Sequence, residues 1–127
     1  MTITRHQITV RDDGTPYPGA PIISQIVTRG DTVYLCGVVS GWPPTGDVTY
    51  QTKKVLARID ELLAEAGTDK SKLLTAQVWL SDMGLFAEHN DAWNEWVDHA
   101  NPPVRACVEA RLTHEGLLVE IMVTAAP

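Results

Sequence analysis

The chain has 127 residues, 44% hydrophobic and 20% charged, which suits one domain (1–127) with a single core and leaves no room for two. Its net charge is −6 and its longest basic run is the pair Lys53–Lys54, so a phosphate backbone is repelled on average and nucleic acid is not an expected partner. No stretch approaches the roughly 18 apolar residues of a membrane-spanning helix, and Cys36 and Cys107 are expected as reduced, buried thiols of a soluble cytoplasmic protein without a secretory leader.

Residues 3–10 alternate weakly and predict a first strand. The stretch 11–21 (RDDGTPYPGAP) is crowded with Gly and Pro and reads as a loop. Two β-rich runs follow, 22–28 and 32–39, with Arg29-Gly30-Asp31 as the turn of a hairpin. Gly37 interrupts the second run, where a bulge or the close approach of a ligand explains a missing Cβ. After the loop GWPPTG, Asp47 or Thr49 is positioned to cap a helix. Its apolar face is formed by Val55, Leu56, Ile59, Leu62, Leu63 and Ala66, and Gly67 falls where a left-handed C-terminal cap belongs.

Residues 73–80 (LLTAQVWL) predict a strand with Leu74, Ala76, Val78 and Leu80 on one face. Ser81 or Asp82 caps a second helix carrying Leu85, Phe86, His89, Ala92, Trp93, Trp96 and Val97. Pro102 and Pro103 end that helix. Residues 104–112 then alternate with period two: Val104, Ala106, Val108, Ala110 and Leu112 make one column, expected to be buried. Arg105, Cys107, Glu109 and Arg111 make the other. The last run, 117–125, holds a single acid, Glu120, among apolar residues. The order predicts an α+β fold with two helices on one face of a mixed sheet. Trp79, Val33 and Leu35 are assigned to the uncovered face, whose apolar character points to self-association.

Arg105 offers a planar fork that binds a carboxylate through two parallel hydrogen bonds. An edge-strand surface arginine, or one paired with Glu109 or Glu120, is the competing interpretation. Glu120, if buried, must be paired or protonated, the environment that tunes a carboxyl for acid–base work. A small polar site shared by Arg105 and Glu120 on neighbouring strands is expected. Cys107 lies on the Arg105 column but lacks a base to activate it, so a small buried residue fits it better than a nucleophile. Cys36 reads similarly. His6, His89, His99 and His114 fit no triad or metal-ligand spacing and are assigned structural or exposed roles. No phosphate loop, serine elbow or cofactor fingerprint is present.

The pattern Pro103-x-Arg105-x-Cys107-Val108-Glu109-Ala110, followed by Val119-Glu120-Ile121 and Ala125, resembles the C-terminal signature of the Rid/YjgF family of enamine/imine deaminases. Further matches at Phe86, Asn90, Ala66-Gly67, Gln51, Gly37 and Ser24-Gln25 extend the resemblance over nearly the whole chain. Gln51-Thr52, Ile59-Asp60, Trp93 and Trp96-Val97 bring it closest to the YoaB-like branch. The resemblance implies a chorismate-mutase-like fold, a homotrimer with clefts between subunits, and hydrolysis of 2-imino acids to 2-oxo acids and ammonia without metal or organic cofactor. It implies that Arg105 holds the substrate carboxylate and Glu120 positions or activates water. Cys107, Cys36, Gly37 and Asn90 then line the pocket.

Two departures stand out. The family's Gly-Pro-Tyr reads Ala20-Pro21-Ile22-Ile23 here, leaving Tyr17 as the available tyrosine, and a usual serine is Cys36. Three other readings follow from them and from the family: a pathway-specific deaminase of an amino-dienoate, a non-catalytic binder of small carboxylates or chaperone-like protein, and a ribonuclease. The charge of −6 opposes the last.

Overall fold

In the computed structural model, which describes residues 1–127, the apolar stripe after Asp47 folds as α1 (Val48–Glu65). The Asp47 side chain accepts from the Tyr50 amide at 2.9 Å, which satisfies one of the unpaired donors of the first turn. Gly67 closes the far end with φ +82°, a conformation that a Cβ disfavours. Asp82 also caps, but it accepts from Gly84 and starts a short 3-10 turn (Met83–Leu85) that leads into α2 (Phe86–Trp96).

Six strands form one sheet: β1 (Ile3–Ile8), β2 (Ser24–Arg29), β3 (Thr32–Leu35), β4 (Leu73–Leu80), β5 (Val104–Glu109) and β6 (Val119–Ala125). Their spatial order is β1-β2-β3-β6-β4-β5. Only β4 and β5 run parallel, and the crossover that joins them is α2. Both helices pack together, and α1 lies on β3 and β6. The core between the layers joins Val55, Ile59 and Leu62 of α1 to Val78, Ile121 and Val123 of the sheet and Trp93 of α2. No helix is long and apolar enough to cross a membrane.

Four expectations are corrected. Val33 and Leu35 are 0% and 2% exposed and belong to the core, because their face of β3 is the one that α1 covers. Trp79 does stand on the uncovered face. In β4 a register shift between Leu73 and Thr75 turns Leu73 inward and leaves Leu74 45% exposed, so the bulge, not strict alternation, decides the start of that strand. β3 stops at Leu35, and Val38 rejoins the sheet only as an isolated bridge to Ile121.

The largest correction concerns β5, which ends at Glu109. Its apolar column is the outward one: Val104 is 71% and Val108 45% exposed, while Arg105 and Cys107 point into the helix side and are half-buried. Alternation shows that a strand has two faces but not which of them the helices cover.

Gln51, fully buried on α1, ties the helix to the loop before β6. Its amide nitrogen donates to the Gly116 carbonyl at 2.9 Å and its oxygen accepts from the Leu118 amide at 2.9 Å. Gln51→Leu is expected to destabilise the fold by about 1–3 kcal/mol, because the part-buried Gly116 carbonyl and Leu118 amide both lose their partner. Urea unfolding measures this, and a loss below about 1 kcal/mol would show that the loop re-pairs without the clamp.

Candidate functional site

Arg105 sits opposite Ala76 on β4, a residue 4% exposed under the helices. Its side chain therefore runs beneath α2, and α2 supplies its surroundings. Asn90 Oδ1 accepts from Arg105 Nη2 at 2.7 Å, and His89 Nε2 lies 3.3 Å from Nη1. The guanidinium stands 5.1 Å from the Trp93 ring centre and 6.0 Å from that of Phe86, within cation–π range of both. No carboxylate joins this group. The ion pairs of the fold are Lys53–Glu95 and Arg58–Glu61. Glu109 is engaged by the Met83 amide at 2.9 Å. Pairing of Arg105 with Glu109 or Glu120 is thus not what the chain does.

Burial pulls the Arg105 guanidinium below its ordinary value, with the Cys107 thiol acting in the opposite sense. A guanidinium still remains charged at neutral pH. The result is a half-buried cation held by neutral acceptors and aromatic faces, with its charge open to an incoming anion. Cys107, opposite Val78, shares that face. Burial raises its pKa more than Arg105 lowers it, so the thiol stays protonated at neutral pH.

Glu120 lies elsewhere. It pairs in register with Trp79 on β4, three residues from Ala76, so its side chain leaves the opposite face of the sheet from Arg105. The two residues are also on β6 and β5, with β4 between them. The expected polar site shared by Arg105 and Glu120 does not form within one chain.

The neighbours of Glu120 are Gly37 and Cys36. A Cβ on Gly37 would overlap Glu120 Oε2, so glycine is what lets the carboxyl lie against the β3 extension. Burial with no cation beside it pushes the Glu120 pKa above the ordinary carboxyl range. Burial also raises the Cys36 pKa, with the Glu120 charge adding to it and the Arg58 charge opposing. Both cysteines are free thiols.

Tyr17 remains on its loop, 52% exposed, with the Arg11 guanidinium 5.8 Å over its ring. Two half-sites result: a cationic one of Arg105, Asn90 and Cys107 under α2, and an acidic one where Glu120 leaves the other side of the sheet against Gly37, with Cys36 next to it and packed against the core. No three His, Cys, Asp or Glu side chains converge in a metal-holding group.

His89, Trp93 and Phe86 are the site residues that sequence reasoning missed as a group. The helical stripe of α2 does contain all three, and that stripe is what brings His89 to 0% exposure. Its pKa is pushed down to about 4, by burial first and by the Arg105 charge second.

Comparison with known proteins adds a common ancestry to this geometry. The sequence model of the family described as Endoribonuclease L-PSP matches residues 16–127. A RutC family protein of Haemophilus influenzae is 44% identical over 103 residues, covering 81% of this chain and 89% of that protein. The RutC family protein YoaB of Escherichia coli is 38% identical over the same shares of the two chains. The crystal structure of a member of the YjgF protein family from Neisseria meningitidis superposes with a TM-score of 0.82 at 37% identity. It covers 99% of this chain and 95% of its own.

Proposed function

Because the chain belongs to the YjgF/Rid family, to which the RutC proteins belong, we propose that it hydrolyses reactive 2-imino acids and their enamine tautomers to 2-oxo acids and ammonia. One observation carries the reading: Arg105 is a half-buried cation with no acid of its own, framed by Asn90, His89 and two aromatic rings. Such a group gains most from a planar carboxylate that pairs with two of its N–H donors at once. Every 2-imino acid carries that carboxylate next to its reacting carbon.

The chemistry asks little else of the protein. Water oxygen adds to the imine carbon, the C=N bond becomes a C–N single bond, and the nitrogen gains a proton. Collapse of this carbinolamine forms the C=O bond and releases ammonia. A carboxyl with a raised pKa can take the proton from water and return it to nitrogen near neutral pH, which is the role given to Glu120. Orientation of substrate and water supplies the remainder.

Arg105 and Glu120 leave opposite faces of one sheet, so a substrate touching both must lie between two copies of the chain. The outward Val104, Val108 and Met122 provide apolar surface for such an assembly. A closed homotrimer with three equivalent clefts satisfies both requirements. In each cleft one subunit contributes Arg105, Asn90 and Cys107, and its neighbour contributes Glu120, Gly37 and Cys36. The site needs no cofactor for these steps, and a cytoplasmic setting, where amino-acid metabolism generates imines, suits it.

A second reading is favoured by Tyr17, which is exposed on its loop with Ile22 and Ile23 in the family's tyrosine register. Without that tyrosine the cleft binds small carboxylates without turning them over. The assay that separates the two generates 2-imino acids in situ with an amino-acid oxidase and traps what survives with semicarbazide. The chain is expected to lower the trapped imine. A folded protein that leaves it unchanged across a panel of apolar and polar imines would leave only the binder.

A further inference from the structure

His89 is the one histidine with no exposed surface, and it is in contact with the functional arginine. Its two ring nitrogens face different partners. Nδ1 lies 3.0 Å from the Thr52 hydroxyl on α1, and Nε2 lies 3.3 Å from Arg105 Nη1 on β5. Arginine has donors and no acceptor. Nε2 must therefore present a lone pair to it, which places the ring proton on Nδ1, directed at the Thr52 oxygen. A charged imidazolium, or the other tautomer, would set N–H against N–H at Arg105.

The next residue on α2, Asn90, accepts from the second terminal nitrogen, Nη2, at 2.7 Å. Two adjacent helix residues thus hold the two ends of one guanidinium, while Trp93 and Phe86 flank its face. Of the five N–H donors on an arginine, these contacts use two and leave three for a ligand.

We propose that His89 is a positioning residue for Arg105. The Arg105 donor selects the neutral Nδ1–H tautomer, the Thr52 hydroxyl accepts that proton, and the bare Nε2 aligns the guanidinium so that its free donors meet the substrate carboxylate. The inference rests on the reading of Arg105 as the carboxylate anchor. It goes further by making the tautomer of a residue that never touches substrate a determinant of affinity. Thr52 on α1 and Arg105 on β5 are the two groups whose polar atoms meet the ring nitrogens. Arg105 is the charged one of the two.

The test is calorimetric binding of 2-oxobutanoate, a non-reacting carboxylate, to the full chain and four variants, together with steady-state imine hydrolysis. Arg105→Ala is expected to abolish measurable binding. His89→Phe keeps the ring shape and removes the acceptor, and is expected to raise Kd and KM about 10-fold with kcat little changed. His89→Gln offers an oxygen near the Nε2 position and is expected to restore Kd to within about 3-fold of wild type. Thr52→Val leaves the buried Nδ1–H without its acceptor and is expected to weaken binding about 3-fold.

A merely structural histidine would not be rescued by glutamine. If His89→Phe binds as wild type does while Arg105→Ala does not, or if His89→Gln is as poor as His89→Phe, the positioning role is overturned and the anchor survives. Should His89→Phe fail to fold, Thr52→Val at wild-type affinity overturns it equally. Wild-type binding by Arg105→Ala would remove both the anchor and the inference built on it.

Discussion

Arg105→Ala is expected to lower kcat/KM for imine hydrolysis by roughly 30-fold to several thousand-fold, the equivalent of about 2–5 kcal/mol for losing one side of a buried charge pair. The fold itself should persist. Arg105 makes no ion pair inside the chain, and because its own half-exposed side chain covers Asn90 Oδ1 and His89 Nε2, its removal opens the acceptors it leaves behind to water. Arg105→Lys should recover little. An ammonium is a point charge and cannot reach Asn90, His89 and both oxygens of a carboxylate together. Steady-state kinetics beside thermal melts checks both statements. Near-wild-type turnover by the folded alanine variant would rule out Arg105 as the anchor.

Glu120→Gln is expected to reduce kcat by about 100- to 10,000-fold, the usual range for removing a positioned acid–base group. For the wild type, activity should fall with decreasing pH through a pKa above the ordinary 4.5, since burial favours the protonated carboxyl. The same shift has a signed effect on stability. The native state holds this proton more tightly than the unfolded chain does. Its contribution to stability is therefore full below the ordinary carboxyl pKa and is lost as pH rises through the native one. Glutamine cannot ionise, so the inactive variant should melt higher than wild type at pH 7 and show no such advantage at pH 4. A variant that is both inactive and less stable at pH 7 would mean the carboxylate is held by a contact that burial alone does not describe.

Because the two residues leave opposite faces of the sheet, these variants carry complementary defects. Co-expressed Arg105→Ala and Glu120→Gln chains, randomly assorted in a closed ring, should regain intact chemistry in about one cleft in four. Each parent alone should show none. Absence of recovery in mixed oligomers would place both residues in the cleft of a single subunit.

What could be read from the sequence follows the range of the interactions involved. The stripe of α1, its Asp47 cap and its Gly67 end are set by neighbours one to four residues away, and the structure has all three. The two β5 columns were also legible, because alternation is local. Their orientation was not: the apolar column of Val104 and Val108 faces away from the helices, and the polar one lies under them. An apolar column signals burial of some kind, and here the burying surface within the chain is absent on that side. The same limit applies to Arg105 and Glu120. Each was identifiable by type and setting, whereas their separation by β4 depends on strand order, which pattern alone does not encode. His89 was visible in the α2 stripe as a buried position. Its contacts with Thr52 on another helix and Arg105 on the sheet depend on the tertiary fold.

The position of β6 in the sheet bears on how the molecule comes into being. β6 follows β3, β4 and β5 in the chain yet lies between β3 and β4, and it carries Ile121 and Val123 of the core. During synthesis the β1–β2–β3 meander and the β4–α2–β5 unit emerge first, with no strand to join them. Their inner edges stay open until β6 is made, and closure then demands contacts between residues far apart in sequence. Folding governed by such non-local pairing is slow relative to helix formation. The open edges of β3 and β4 are, for that interval, templates for other strands. A nascent chain of this topology is thus most vulnerable to aggregation just before its central strand is released, and most dependent on chaperones at that moment.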